Sequence, residues 1–145
     1  MPSHSEKRLL PYTPAELFDL VAAVEEYPKF LPWCLDAEVR SRDGEAMVAD
    51  LVIGFRMFRE RFTSDVSLKR PDRIEVRYRK GPLRHLHNHW VFEPYGEGQC
   101  MIDFHVDFEF RSRVLQALVG VLFHEAFRRM VGAFGDRART LYGER

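Results

Sequence analysis

The chain has 145 residues, 46% of them hydrophobic, which suits one domain over residues 1–145 burying roughly two-thirds of its unfolded surface. Lysine plus arginine and aspartate plus glutamate each total 22, so overall charge makes no case for a polyanionic partner, no DNA partner is expected, and any such case must be local. No run of about 18 apolar residues and no charged-then-apolar leader is present, which argues against a helical membrane span and a secretory signal and sets the expectation of a cytoplasmic protein.

In chain order, an extended "SEKRLLPY" precedes "TPAELFDLVAAVEEYP". Thr13 as N-cap, Pro14 at the first helical position and Glu16 closing a capping box predict a strong helix start. Leu17, Val21 and Val24 recur at helical spacing, and Pro28 ends the segment before a short turn, "PKFLPWC". From about residue 34 the period changes to two. Asp43-Gly44 predicts a tight hairpin, Pro71-Asp72 a type I turn, Gly81-Pro82 a break, and "YGEG" at 95–98 a last hairpin. These boundaries give about seven strands in an antiparallel meander. From Ser112 an apolar stripe runs from Leu115 to Leu141, predicting a helix of some 30 residues and about 45 Å that must lie across the sheet. Cys34 and Cys100 lack CxxC spacing and fit a reducing compartment as small core residues.

The stretch "RHLHNHW" places three histidines within five residues. Period two sends Leu86, Asn88, Trp90 and Phe92 to an inner face and His85, His87 and His89 to an outer one. With Trp90 opposite Phe104 on "CMIDFHVDFEF", His89 faces His105 and His87 faces Asp107. Imidazoles on an open, wet sheet face lack a converging second shell, so we expect no resident metal there.

Three polar residues occupy inner positions where the pattern asks for apolar ones: Glu60 and Ser64 beside Phe58, Phe62, Val66 and Leu68, and Asn88 between Leu86 and Trp90. A buried, unpartnered carboxylate is costly, so Glu60 must be protonated, paired, or open to a cavity. An apolar cavity with a few converging polar groups is the usual form of a small-molecule site. Elsewhere, Lys69, Arg70, Arg73, Arg77, Arg79, Lys80 and Arg84 make a local basic patch against Asp72 and Glu75, which could meet a ribosomal subunit or anionic lipid. His124 and Glu125 in "FHEAFRR" lack the second histidine of a zinc-protease motif and read as a flank of the helix.

"YPKFLPWC", "ERFTSDV", "GPLRHLHNHWVFEP" and the tail from "FEFRSRVLQALVG" to "ARTLYG" together resemble the coenzyme Q-binding protein and ribosome association toxin RatA family. That family sits in the START-like, or polyketide cyclase/dehydrase-like (SRPBCC), superfamily. The resemblance spans nearly the whole chain and, without a mitochondrial leader, looks like the bacterial form. It implies an α+β helix-grip fold: a curved antiparallel sheet wrapped around the long C-terminal helix, with two short helices near the N-terminus.

It further implies a non-catalytic lipid chaperone for respiration that binds ubiquinone or a related isoprenoid quinone. No other cofactor is expected. The tail would lie along Phe30, Leu31, Trp33, Leu51, Ile53, Phe58, Trp90, Phe123, Phe127 and Met130, where each buried CH₂ contributes roughly 0.8 kcal/mol. The quinone head offers only acceptors and would need donors from Asn88, Ser64 or a protonated Glu60. Transient contact with the inner-membrane surface or respiratory complexes follows from that role. Two alternatives stand beside it: a RatA-like toxin that binds a ribosomal subunit and blocks subunit association, and a polyketide cyclase-like enzyme, for which no nucleophile paired with a base is visible.

Overall fold

A computed structural model describes residues 3–55 and 58–145, without the side chains of Phe55, Phe58, Val119, Val121 and Leu122. Seven strands form one antiparallel sheet: β1 (Ser3–Leu10), β2 (Cys34–Asp43), β3 (Ala46–Phe55), β4 (Phe58–Lys69), β5 (Arg73–Lys80), β6 (Leu83–Pro94) and β7 (Cys100–Phe110), in spatial order β1-β7-β6-β5-β4-β3-β2. Two α-helices, α1 (Pro14–Ala22) and α2 (Arg113–Tyr142), and a 3₁₀ segment over Val24–Lys29 complete the fold. This is the helix-grip architecture that the resemblance implies, and its order of elements is the one the periodicity predicts.

Local chemistry explains the boundaries. Thr13 Oγ1 accepts from the Glu16 backbone while the Thr13 backbone donates to Glu16 Oε1 at 3.0 Å, a reciprocal capping box that starts α1. Ser112 Oγ accepts from the Leu115 amide at 3.2 Å and starts α2. Gly44, at φ 58°, lets the β2–β3 chain reverse between the paired Asp43 and Ala46, a left-handed turn conformation that side chains with a Cβ resist.

The β6–β7 register is the expected one, with Trp90 opposite Phe104, His89 opposite His105 and His87 opposite Asp107. It places Trp90, Phe92, Ile102, Phe104 and Val106 on the inner face, all buried. Helix α1 covers one end of that face with Leu17, Phe18 and Val21, and the second half of α2 adds Met130, Val131, Phe134 and Ala138. Burying each large apolar side chain stabilises the fold by roughly 1.5–3 kcal/mol. Gly132 allows close approach here, because a Cβ on it would lie 3.2 Å from Arg8 Nη1.

Candidate functional site

The inner face of the sheet divides in two. At the α1 end it is closed by the core just described. Toward the start of α2 the inward residues Leu51, Ile53, Glu60, Leu86, Asn88, Phe110, Phe123 and Phe127 are only half-buried. Helix α2 rests on β1, β7 and α1, and Phe108 meets Phe123 and Phe127 at ring-centroid distances of 5.7 and 5.6 Å. The β3–β4 surface forms the opposite wall. These half-buried, mostly apolar side chains leave that end of the inner face partly uncovered, a stretch we call the groove.

Two polar groups mark its floor. Ser64 Oγ and Asn88 Oδ1 are buried and lack a hydrogen-bond partner among the described residues. A buried polar atom left unpaired costs about 1–3 kcal/mol, so such atoms point to a ligand or water. Registry places them near each other: Ser64 lies opposite Tyr78 on β5, and Val76, two residues before Tyr78, lies opposite Asn88. Glu60 is half-buried opposite Ile53.

The residues expected to bind ligand therefore fall into two groups. Leu51, Ile53, Glu60, Ser64, Asn88, Phe123 and Phe127 surround the groove. Leu31, Trp90 and Met130 sit in the closed core, Phe30 packs on Phe134 with ring centroids 5.1 Å apart, and Trp33 is half-buried beside it. The Phe58 side chain lies outside the described residues.

The outer face carries the histidines. His85 bonds Asp107, His87 Nε2 lies 3.2 Å from Glu75 Oε1, and His105 Nε2 lies 3.4 Å from Asp107 Oδ2. Burial raises the Asp107 carboxyl, but its hydrogen bond to His85 and the nearby imidazoles outweigh this and hold it below the usual carboxylate range. His89 stacks on His105 at 5.4 Å, and burial, with Arg73 and His105 adding to it, lowers its pKa. These imidazoles pair with carboxylates or stack; among the described residues no three ligating groups converge as a metal site.

The basic patch is largely neutralised. Arg70 forms a bidentate pair with Asp19 at 2.8 and 3.0 Å, Arg79 does the same with Asp65 at 3.2 and 2.7 Å, and Arg73 and Arg77 share Glu75. Lys69, Lys80 and Arg84 remain without an ion pair among the described residues.

Two clusters escaped the sequence reading. On β1, His4 faces inward and is buried, with Nδ1 2.9 Å from His124 Nδ1 and Nε2 3.0 Å from Glu6 Oε1, while Arg8 Nη2 donates to Glu6 Oε2 at 2.5 Å. This polar seam ties β1 to the middle of α2, where His124 bonds His4 while staying exposed on the flank of the helix. On the outer face, Asp50 is 1% exposed between Arg40 at 2.9 Å, Arg61 at 3.3 Å and the Thr63 hydroxyl at 2.6 Å.

Burial raises the Asp50 carboxyl, but the Thr63 hydroxyl and the two guanidiniums together hold it below its ordinary value of 3.8. A folded-state pKa below the unfolded one gives stability that is present above the unfolded value and lost as pH falls through the folded one. Asp50→Asn is therefore expected to cost about 1–3 kcal/mol at neutral pH. Its deficit against the parent should narrow below about pH 4, which thermal melts across the acid range would measure.

Among the described residues no helix is long and apolar enough to cross a membrane. Residues 10–135 match the family model described as polyketide cyclase / dehydrase and lipid transport. The chain is 38% identical over 144 residues to the ribosome association toxin RatA of Pseudomonas aeruginosa, covering 99% of this chain and 100% of that one. It is 34% identical to the mitochondrial coenzyme Q-binding protein COQ10 homolog B of Xenopus laevis, covering 97% of this chain and 59% of that one. Its fold superimposes with a TM-score of 0.81 on the Zhui aromatase/cyclase of Streptomyces sp. R1128, at 15% identity over 97% of this chain and 95% of the other. With the groove, the helix-grip sheet and these matches together, the chain belongs to the polyketide cyclase / dehydrase and lipid transport family, among its RatA and coenzyme Q-binding relatives.

Proposed function

We propose that this chain is a single-domain chaperone for an isoprenoid quinone, ubiquinone or a close relative. It would act from the cytoplasm, meet the inner membrane or respiratory complexes transiently, and support electron transport without catalysing a reaction. The observation that carries this reading is the pair of orphaned polar atoms, Ser64 Oγ and Asn88 Oδ1, on the floor of an otherwise apolar groove. A quinone carbonyl takes a hydrogen bond from the Ser64 hydroxyl or the Asn88 amide N–H, and Asn88 Oδ1 can accept from the hydroxyl of the reduced quinol. The tail lies against Leu51, Ile53, Phe123 and Phe127. The relative named as a coenzyme Q-binding protein supports the same assignment.

Mass spectrometry of an organic extract of protein from a quinone-producing host should find bound quinone. Saturating quinone at about a hundred times its Kd should add about 2.7 kcal/mol of stability. Extracts free of isoprenoid lipid, together with an unmoved melting temperature, would refute the reading.

Asn88→Leu separates function from stability. It should stabilise the empty protein by about 1–3 kcal/mol, because it removes a buried unpaired carbonyl, while weakening quinone binding roughly tenfold. A destabilised variant that keeps full affinity would show that the amide serves the fold and not the ligand.

A second reading, binding of a ribosomal subunit, is favoured by the full-length match to proteins named RatA. The internal pairing of Arg70, Arg73, Arg77 and Arg79 weighs against the β4–β5 patch as its contact surface. Salt-dependent co-sedimentation with purified subunits tests it directly.

A further inference from the structure

At the start of α2, a cleft of about 380 Å³ opens to solvent and is lined by Arg84, Arg111 and Arg113 against one carboxylate, Glu109. Three cations less one anion leave a local charge of +2. Arg111 is anchored, its Nε donating to the Leu83 carbonyl at 3.2 Å, which holds the guanidinium at the cleft. Arg84 and Arg113 are exposed and form no ion pair among the described residues, unlike the arginines of β5.

Beside the cleft, Val114 and Leu118 are 73% and 54% exposed. Four residues apart on a helix, they share one face, and that face is the next one round from Arg113. An exposed aliphatic pair thus stands on α2 roughly a third of a turn round from Arg113, near the end of the sheet where Phe110 and Phe123 are half-buried.

We propose that this surface docks on an anionic phospholipid bilayer, with Arg84, Arg111 and Arg113 meeting phosphodiester headgroups and Val114 and Leu118 entering the acyl boundary. Charge complementarity alone would also suit an RNA backbone, but RNA would leave the aliphatic pair in water. A bilayer uses the cations and the aliphatic pair at once. The proposal builds on the lipid-chaperone reading, since docking here sets the groove against the membrane from which a lipid ligand comes.

Its test needs no quinone. The full chain is sedimented with quinone-free vesicles of equal parts phosphatidylcholine and phosphatidylglycerol, and with vesicles of phosphatidylcholine alone. Binding should require the anionic lipid and fall with added salt. Arg84→Gln with Arg113→Gln should weaken it about thirtyfold, and Val114→Ser with Leu118→Ser about tenfold. All four positions are exposed, so melting temperatures should not move. Equal binding to both vesicle types, or binding that ignores either double variant, would overturn the proposal. So would loss on arginine removal with no loss on serine substitution and full competition by single-stranded RNA, which would mark an RNA surface. If the protein binds these vesicles yet never binds quinone, the docking surface stands and the quinone reading falls.

Discussion

Trp90→Ala is expected to cost 3–5 kcal/mol of stability, the range for truncating a large buried aromatic side chain. The ring is 4% exposed and meets Phe104, Phe134 and Phe92 at centroid distances of 4.5, 5.0 and 6.4 Å. Those partners come from β7, α2 and β6, and α1 closes the same end of the sheet. No single element can move in to fill the space, so most of the cavity should persist. For a chain of this size the melting temperature should fall by on the order of 10 °C. Replacing His85, His87 and His89 together by glutamine is the control on the other face. It removes partly exposed pairs to Asp107 and Glu75, each worth about 1 kcal/mol or less. Quinone binding should be unchanged, and chelators should alter neither variant. A triple variant that melts below Trp90→Ala, or one that loses quinone, would reverse the assignment of faces.

The faces of β6 and β7 were legible because their alternation is strong: apart from Asn88, aromatic and aliphatic side chains fill the inner positions, and a one-residue slip would expose all of them. The capping box of α1 and the Ser112 cap of α2 were legible for a similar reason, since both signals are local. β1 was not, because "SHSEKRLL" alternates His4, Glu6, Arg8 and Leu10 with residues nearly as polar. Only the position of α2 beneath it decides that His4 is buried. Asp50 likewise reads as an ordinary outward residue of β3. Its burial comes from Arg40 and Arg61, which neighbouring strands bring over it.

The basic patch shows the same limit from another side. Seven cations gathered between Lys69 and Arg84 look like a surface for an anion, but the partner of Arg70 is Asp19 on α1, far away in sequence. Pairing across elements cannot be read from a local count of charge. The sequence also named the orphaned groups correctly as inward, Ser64 and Asn88, from period two alone. It could not show that the inner face has a closed end and an open one, which depends on where α2 stands above the sheet.

That division leads to the largest expected effect on binding. Phe123→Asp should lower quinone affinity by a hundredfold or more, equivalent to about 2.7 kcal/mol, because it sets a carboxylate in an apolar wall that a bound tail would desolvate. Phe123 packs on Phe108 yet is only half-buried, so in the empty protein the new carboxylate can stay hydrated. The stability cost should stay below that of Trp90→Ala, with the circular dichroism spectrum unchanged. Phe123→Leu keeps an apolar wall and should bind within a few-fold of the parent, which isolates charge from shape. Titration of each variant with a short-chain quinone, followed by melting temperature, reads both effects in one experiment. If Phe123→Asp retains parental affinity, the ligand does not lie along α2 and the groove between its first half and the β3–β4 wall is not the binding site.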